Sequence, residues 1–422
     1  MTLRNHGGMR RIFLYCHDAY GMGNARRMMA IARHLATTLP AANLLLASGS
    51  PVIHGFQMPD RVDYIKLPSV ARTDREQYAT RYLTTGIRDT IRLRSALLKA
   101  AVQDFAPDLV LVDKKPFGIM HELSASVRFL RTHRPATRHV LVLRDILDQP
   151  SATIPALAAS GFERDVRDWF DLVAVLGSPR VFDAREEYAW QSSTRDKVAF
   201  CGYVRSQAPA TSRAAMRATL GVSDDERLVL VTPGSGEDGQ AVLGAAMAAL
   251  DRLRQAAGGA RIRGLVVTGP SFPAAEFPHI SEAAARTGGI AVRQFTDDMS
   301  GCMAAADVVV SMGGYNTVCD ILSLGVRAVV VPRVRPVAEQ WIRARRMAEL
   351  GWFRALHPDT LSAATLAHAI RAELDAPAGR APGVDLDALD TLSGHLEALD
   401  EPPVPTPVLR RTTNLRPCEG TL

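Results

Sequence analysis

Between Ala306 and Ala344 the chain reads ADVVVSMGGYNTVCDILSLGVRAVVVPRVRPVAEQWIRA. A short apolar strand, Val308–Val310, runs into Ser311-Met312-Gly313-Gly314. A helical pattern follows, then a second strand over Ala328–Val331, then Pro332 and a helix opening near Glu339. Two strand ends that lead through polar turns into helices describe an open α/β sheet, where ligands sit beyond the carboxyl ends of the strands. The glycine pair lets the backbone approach a ligand closely. The free N–H groups of the following helix favour a phosphate. Asp320 lies one helical turn past Asn316, on the same face, where a carboxylate can accept hydrogen bonds from ribose hydroxyls.

The same punctuation recurs along the chain. Strands are expected at 11–16, 43–47, 62–67, 108–112, 139–143, 172–176 and 197–201, and again at 228–232, 265–268 and 291–294. Helical patterns separate them, the first carrying Met28, Ile31 and Leu35 at spacings of three and four. This is the signature of a doubly wound sheet. With 422 residues the expectation is two such domains. Residues 1–205 form the first and 213–400 the second. The small, polar 206–212 segment (SQAPATS) links them, and the Pro-rich 401–422 tail is expected to be disordered.

The first domain opens on a strand followed by His17-Asp18-Ala19-Tyr20-Gly21-Met22-Gly23-Asn24. The third glycine of a dinucleotide fingerprint would fall at Arg26, which excludes a conventional NAD site. The turn remains suited to holding a substrate. Asp113 and Asp145 sit at strand ends, as acceptor-side residues or as helix caps. In the second domain Gly234-Ser235-Gly236 opens a helix whose N–H groups can cradle a diphosphate. From Arg72 to Phe105 runs a long charged helical pattern. It is either a solvated face or a basic surface for an acidic acceptor or anionic lipid.

The net charge of +6 does not signal nucleic acid: 45 of the 50 basic residues are Arg, they are scattered, and only 6% of the chain is aromatic, which leaves no base-stacking platform. Five cysteines without a CxxC pair read as small buried hydrophobes of a reducing compartment. No apolar run approaches the ~18 residues that span a bilayer, and no signal-peptide core follows the N-terminal arginines. The expected location is cytoplasmic.

Taken together, the Gly21–Asn24 turn, Gly202–Arg205, Gly234-Ser235-Gly236, QFTDDM (294–299), the GGYNTVCDILSLG run (313–325) and Glu339-Gln340 resemble the GT-B glycosyltransferases. The likeness is to the MurG-like branch and a related bacterial group of predicted glycosyltransferases. The resemblance implies an α/β architecture of two Rossmann-like domains facing across a cleft. It also implies a UDP-sugar donor, a small-molecule or lipid-linked acceptor, peripheral membrane contact if the acceptor is lipid-linked, and no cofactor. Phe295, Thr296 and Met299 would belong to the uracil turn, with the first two flanking the ring. Asp320 would face the ribose, and Glu339 and Gln340 the sugar. Gly234, Ser235, Gly236, Gly314 and Thr317 would lie against the diphosphate, with Arg205 reaching it, and Gly313 and Asn316 would also belong to the donor site. Gly21 and Gly23 would face the acceptor. The family's glycine turn usually ends in a His, and this chain has Asn24, whose amide is no base near neutral pH. The base is then His17 or Asp18, or the protein binds nucleotide sugars without catalysis. No spaced acidic pair marks a metal site, so metal-independent inverting transfer is expected. A nucleotide-sugar epimerase or hydrolase is the alternative on the same fold.

Overall fold

The computed structural model describes residues 10–17, 23–73, 77–256, 261–377 and 383–399. The strands are β1 (Arg11–Cys16), β2 (Asn43–Ser48), β3 (Val62–Lys66), β4 (Val70–Arg72), β5 (Tyr78–Thr80), β6 (Leu109–Asp113), β7 (Arg138–Arg144), β8 (Leu172–Leu176) and β9 (Val198–Phe200). They continue in the second half with β10 (Glu226–Thr232), β11 (Arg261–Val267), β12 (Ile290–Arg293), β13 (Val308–Ser311), β14 (Ala328–Val330) and β15 (Arg354–Ala355).

The first sheet has the order β3-β2-β1-β6-β7-β8-β9, the second β12-β11-β10-β13-β14-β15, and every neighbouring pair in them is parallel. Helices cover both faces, so central strands such as β6 and β8 are buried along their whole length. Their sequences therefore run continuously apolar instead of alternating. The strand order reverses between β1 and β6 in one sheet and between β10 and β13 in the other. These two switch points are where such sheets leave a crevice at their carboxyl ends. This is the expected pair of Rossmann-like domains.

Two departures from expectation have clear causes. The sequence pattern predicts helix throughout the segment from Arg72. Instead β4 and β5 pair antiparallel, and the helix begins only at Ile87, after an extended Gly86. Tyr78 and Thr80 favour a strand. The helix is also not uniformly solvated. Arg94 is fully buried, with Nε and Nη2 each donating to Glu122 at 2.6 Å and Nη1 donating to the Pro68 carbonyl.

The second departure concerns the domain boundary. After the Ala363–Leu374 helix the chain returns to the first domain. Tyr203 N donates to the Asp385 carbonyl at 2.8 Å, and the Ala388–Ala398 helix lays Ser393 3.0 Å from His34 on the Gly23–Thr38 helix. Its apolar side, Leu392 and Leu396, is buried there, which its local pattern could not specify. The 206–212 linker has no regular structure but is docked: Ser206 N donates to Ser323 Oγ and Thr211 N to Asp298. The expected tail at 401–422 lies outside the described residues, as does Cys418. The other four cysteines are buried.

Candidate functional site

The second switch point is built from glycines. After β10, Gly234 and Gly236 take φ of +88° and +96°, a region that costs glycine nothing. A Cβ on Gly236 would collide with the Thr268 carbonyl, because this turn packs against the next one, where Ser271 N donates to the Ser235 carbonyl. After β13, Gly313 takes φ +70°, and a Cβ there would sit 2.5 Å from Val330. Gly314 precedes the Tyr315–Leu324 helix and Gly239 the Gln240–Gln255 helix, neither with a capping side chain. The first-turn N–H groups of both helices are thus left for a ligand. The two turns adjoin: the Cβ position of Gly234 is 3.9 Å from Thr317 Oγ1, and that of Gly314 is 4.0 Å from Gln340 Nε2. Gln340 also accepts from Arg333 N at 3.1 Å and so fixes the loop after β14. The predicted diphosphate residues are therefore brought together.

The uracil turn follows β12. Phe295 is 58% exposed. Thr296 Oγ1 accepts from Asp298 N at 3.4 Å, and Asp298 caps the Met299–Ala305 helix by accepting from Gly301 N.

Several predicted residues are placed otherwise. Asp320 is buried, and its carboxylate is held by Arg26 at 3.1 Å and by the Ser206 hydroxyl. Asn316 reaches across the cleft to donate to the Gly23 carbonyl at 3.3 Å. Arg205, expected at the phosphates, pairs with Asp387 at 2.7 Å on the returning segment and is over half exposed. Asp145, expected on the acceptor side, is 1% exposed and receives a bidentate pair from Arg343, both bonds at 2.7 Å, with Tyr203 Oη donating at 3.0 Å. A carboxylate so enclosed is structural. Glu339, expected on the sugar, is 2% exposed and lies 2.9 Å from Arg343 and 3.4 Å from Arg144. Burial alone would raise its pKa; Arg144, Arg343 and Arg333 outweigh burial and hold it below the usual range. Asp113 is likewise buried, accepting from Arg27 at 2.5 Å and from His17 N at 3.2 Å. It braces the first switch point from beneath.

His17, at the end of β1, is buried. Its Nε2 lies 3.5 Å from Tyr78 Oη, and its Nδ1 has no partner among the described residues. Burial, with Lys114, Lys115, Arg94 and Arg72 adding to it, pushes its pKa well below 6.5, so it is neutral. Asn24 spends its amide on the turn: Nδ2 donates to the His17 carbonyl and Oδ1 accepts from Arg27 at 3.1 Å. Asp18 and Gly21 lie outside the described residues. Above His17 opens a cavity of about 80 Å³ lined by Arg27, Arg72, Tyr78, Lys114, Arg144 and Arg333, with Asn24, Leu147 and Val337.

The sequence carries a signal for some of these cations. Arg27 lies on the apolar stripe beside Met28 and Ile31, where an Arg implies a buried partner. Asp113 ends the otherwise apolar β6 and Asp145 directly follows β7; both are buried and demand cations in turn.

Residues 228–381 match the glycosyltransferase family 28 C-terminal domain. Curated relatives include UDP-N-acetylglucosamine--N-acetylmuramyl-(pentapeptide) pyrophosphoryl-undecaprenol N-acetylglucosamine transferases. That of Exiguobacterium sp. is 29% identical over 180 residues, 41% of this chain and 48% of the relative. That of Bordetella parapertussis is 37% identical over 111 residues, 25% of this chain and 31% of the relative. The chain thus spans about half or less of the curated relatives it matches. Acinetobacter baumannii MurG superposes with a TM-score of 0.57 at 12% identity, over 92% of this chain and 99% of that one. The glycotransferase of kitacinnamycin gives 0.56 at 15%, over 93% and 95%. A putative UDP-N-acetylglucosamine 2-epimerase from Listeria monocytogenes gives 0.57 at 12%, over 94% and 99%. The chain thus carries a match to the family 28 C-terminal domain in its second half and shares the two-domain fold of these glycosyltransferase structures over nearly its whole length.

Proposed function

We propose that the protein transfers a sugar from a nucleoside-diphosphate sugar, UDP-linked, to an acceptor hydroxyl with inversion and without a metal ion. The observation that carries this reading is the convergence of Gly234, Thr317, Gly314 and Gln340 at the second switch point, opposite the neutral His17 at the first. The donor lies on the second domain, with its uracil against Phe295 and Thr296, its ribose at Asp320 and its diphosphate on the two uncapped helix N-termini. The acceptor hydroxyl approaches from the first domain. Its oxygen bonds to the anomeric carbon as the bond to the phosphate oxygen breaks, and the UDP leaves with that electron pair. His17 takes the proton. Charge on the departing diphosphate is met by helix N–H groups and the cleft arginines. Asp298 is spent on capping its helix and holding Thr211, so the adjacent Asp297-Asp298 pair does not form a ready cation cradle.

A melting-temperature panel of nucleotide sugars, followed by transfer assays in EDTA, tests this. A UDP-sugar is expected to raise the melting temperature, since it binds only the folded state, and turnover is expected to survive chelation. No shift with any nucleotide sugar would remove the donor assignment. The likeness to the epimerase fold favours one second reading, epimerisation or hydrolysis. UDP-sugar consumed without acceptor would support it over transfer.

His17 makes a pH prediction. Because its pKa is depressed well below 6.5, it stays unprotonated as pH falls through 6.5. The profile of kcat/KM is therefore expected to stay flat there and drop only at much lower pH. An acid limb centred near 6.5 would remove His17 as base.

We further propose that the acceptor end of the first domain contacts membranes. Leu93 and Leu97, four residues apart on one face of the Ile87–Phe105 helix, are 47% and 39% exposed beside exposed Arg92, and Tyr82 and Leu83 are exposed just before the helix. Apolar groups with flanking arginines suit an anionic lipid surface. Among the described residues no helix is long and apolar enough to cross a membrane. Leu93→Glu with Leu97→Glu is expected to abolish co-sedimentation with phosphatidylglycerol vesicles; unchanged co-sedimentation would place the contact elsewhere.

A further inference from the structure

We propose that Asn24 is a positioning residue for His17, acting with Arg27 and Asp113 through a closed ring of four hydrogen bonds that fixes the main chain at residue 17. That His17 is the base rests on the transfer reading above; the ring does not.

β1 ends at Cys16, so the N–H and C=O of His17 lie just past the strand and need partners of their own. Side chains supply them. His17 N donates to Asp113 Oδ2 at 3.2 Å, and the His17 carbonyl accepts from Asn24 Nδ2 at 2.5 Å. Arg27 joins the two partners: its Nη2, with two hydrogens to give, donates to Asp113 Oδ1 at 2.5 Å and to Asn24 Oδ1 at 3.1 Å. The ring thus runs from His17 N through Asp113, Arg27 and Asn24 back to the His17 carbonyl.

This geometry selects an amide at position 24. The side chain there must donate to a carbonyl and accept from a guanidinium, and Asn carries one group of each kind. Asp would set an oxygen against the His17 carbonyl. Asn24 and Arg27 are three residues apart on the Gly23–Thr38 helix, which puts them on one face. Asp113 closes β6, the strand paired with β1. The Arg27 and Asp113 side chains are 3% and 0% exposed, and the Tyr315 ring centre lies 6.0 Å from the guanidinium carbon. With the main chain held, Tyr78 aims the imidazole: its ring meets that of His17 edge-on at 6.5 Å, with Oη 3.5 Å from Nε2. A base must sit within hydrogen-bond reach of its proton, and a displacement of about 1 Å costs on the order of 100-fold in rate.

Loosening the ring admits water to the buried imidazole. Burial is the main cause of its depressed pKa, so that pKa should rise toward 6.5. Lys114, Lys115, Arg94 and Arg72 also depress it and stay in place, as do Arg27, Arg144 and Arg333 around the cavity. Tyr78 and Asp113 are the other titratable neighbours. With the cations still present, the rise should stop short of 6.5.

The test compares the full-length wild type with Asn24→Ala and Asn24→Asp by steady-state kinetics and by NMR titration of the His17 ring, assigned with His17→Gln. Asn24 is half-buried and uncharged, so its truncation strands no ion. Asn24→Ala is expected to lower kcat on the order of 10- to 100-fold with the KM for the UDP-sugar unchanged. Its kcat/KM should gain an acid limb nearer pH 6.5, and the His17 titration should move up with it. Asn24→Asp keeps the size and the bond to Arg27 but lacks the donor, and should lose kcat as far. Wild-type kcat in either variant, or a loss of kcat with the His17 titration unmoved, would overturn the positioning role. The NMR arm needs no substrate. A His17 titration that moves in Asn24→Ala, in a protein without transferase activity, would leave the ring standing and sink only the transfer reading.

Discussion

Arg343→Ala is expected to lower stability by about 3–5 kcal/mol, the cost of leaving a buried charge without its partner. Arg343 is fully enclosed. It donates twice to Asp145 at 2.7 Å and once to the Gly313 carbonyl at 3.3 Å, and its Nη2 lies 2.9 Å from Glu339. Its guanidinium also lies 5.7 Å from the ring centre of Tyr315. Burial works against its charge, but Asp145 and Glu339 outweigh burial and raise its pKa. Truncation strands two carboxylates between the domains. The effect should appear in urea denaturation followed by tryptophan fluorescence, since Trp169 and Trp190 report on the first domain and Trp341 and Trp352 on the second. Arg343→Met combined with Asp145→Leu should recover much of the loss, because apolar replacement of a whole buried pair is often neutral. A single-variant loss within about 1 kcal/mol, as for a surface pair, would show that the network is solvated. The network joins a residue after β7 to one on the Glu339–Glu349 helix, so it also resists opening of the cleft, the motion expected to gate donor entry.

Asp320→Ala is expected to weaken UDP roughly 10- to 100-fold, the worth of a hydrogen-bonded charged group. Arg26 and Ser206 hold this carboxylate. Ribose hydroxyls would have to compete with them. Arg26→Ala therefore separates two roles. If Asp320 binds ribose, removing Arg26, half exposed and easily spared, should tighten UDP while Asp320→Ala weakens it. If Asp320 only ties the domains together, the two variants should shift UDP affinity alike. Calorimetry with UDP reads both. Arg26 is also the residue that breaks the dinucleotide fingerprint, so one position both excludes NAD and reaches the second domain.

The strands were readable because parallel strands covered on both faces leave uninterrupted apolar runs, as in Val308–Val310 and Leu109–Val112. The glycines at 234, 236 and 313 were readable because positive φ and close approach admit little else. The β4–β5 hairpin was not, since its few residues lie inside a charged stretch with helical spacing. The return of Ala388–Ala398 to the first domain was not, since an amphipathic helix does not encode which face it will cover. Asp145, Asp320 and Glu339 were picked out as chemistry-bearing carboxylates, and the sequence could not say that Arg343, Arg26 and Arg144 would reach them from far along the chain.

The sequence by itself determined two Rossmann-like halves, their glycine turns and the family likeness, because backbone conformation and strand burial are local demands on residue type. Only the tertiary structure decided which charges meet across the cleft. Ion pairs such as Asp145–Arg343 join positions distant in the chain, and their partners are chosen by the docking of the two domains. The fold of the first domain gathers Arg27, Arg72, Lys114 and Arg144 around His17, and docking of the second adds Arg333.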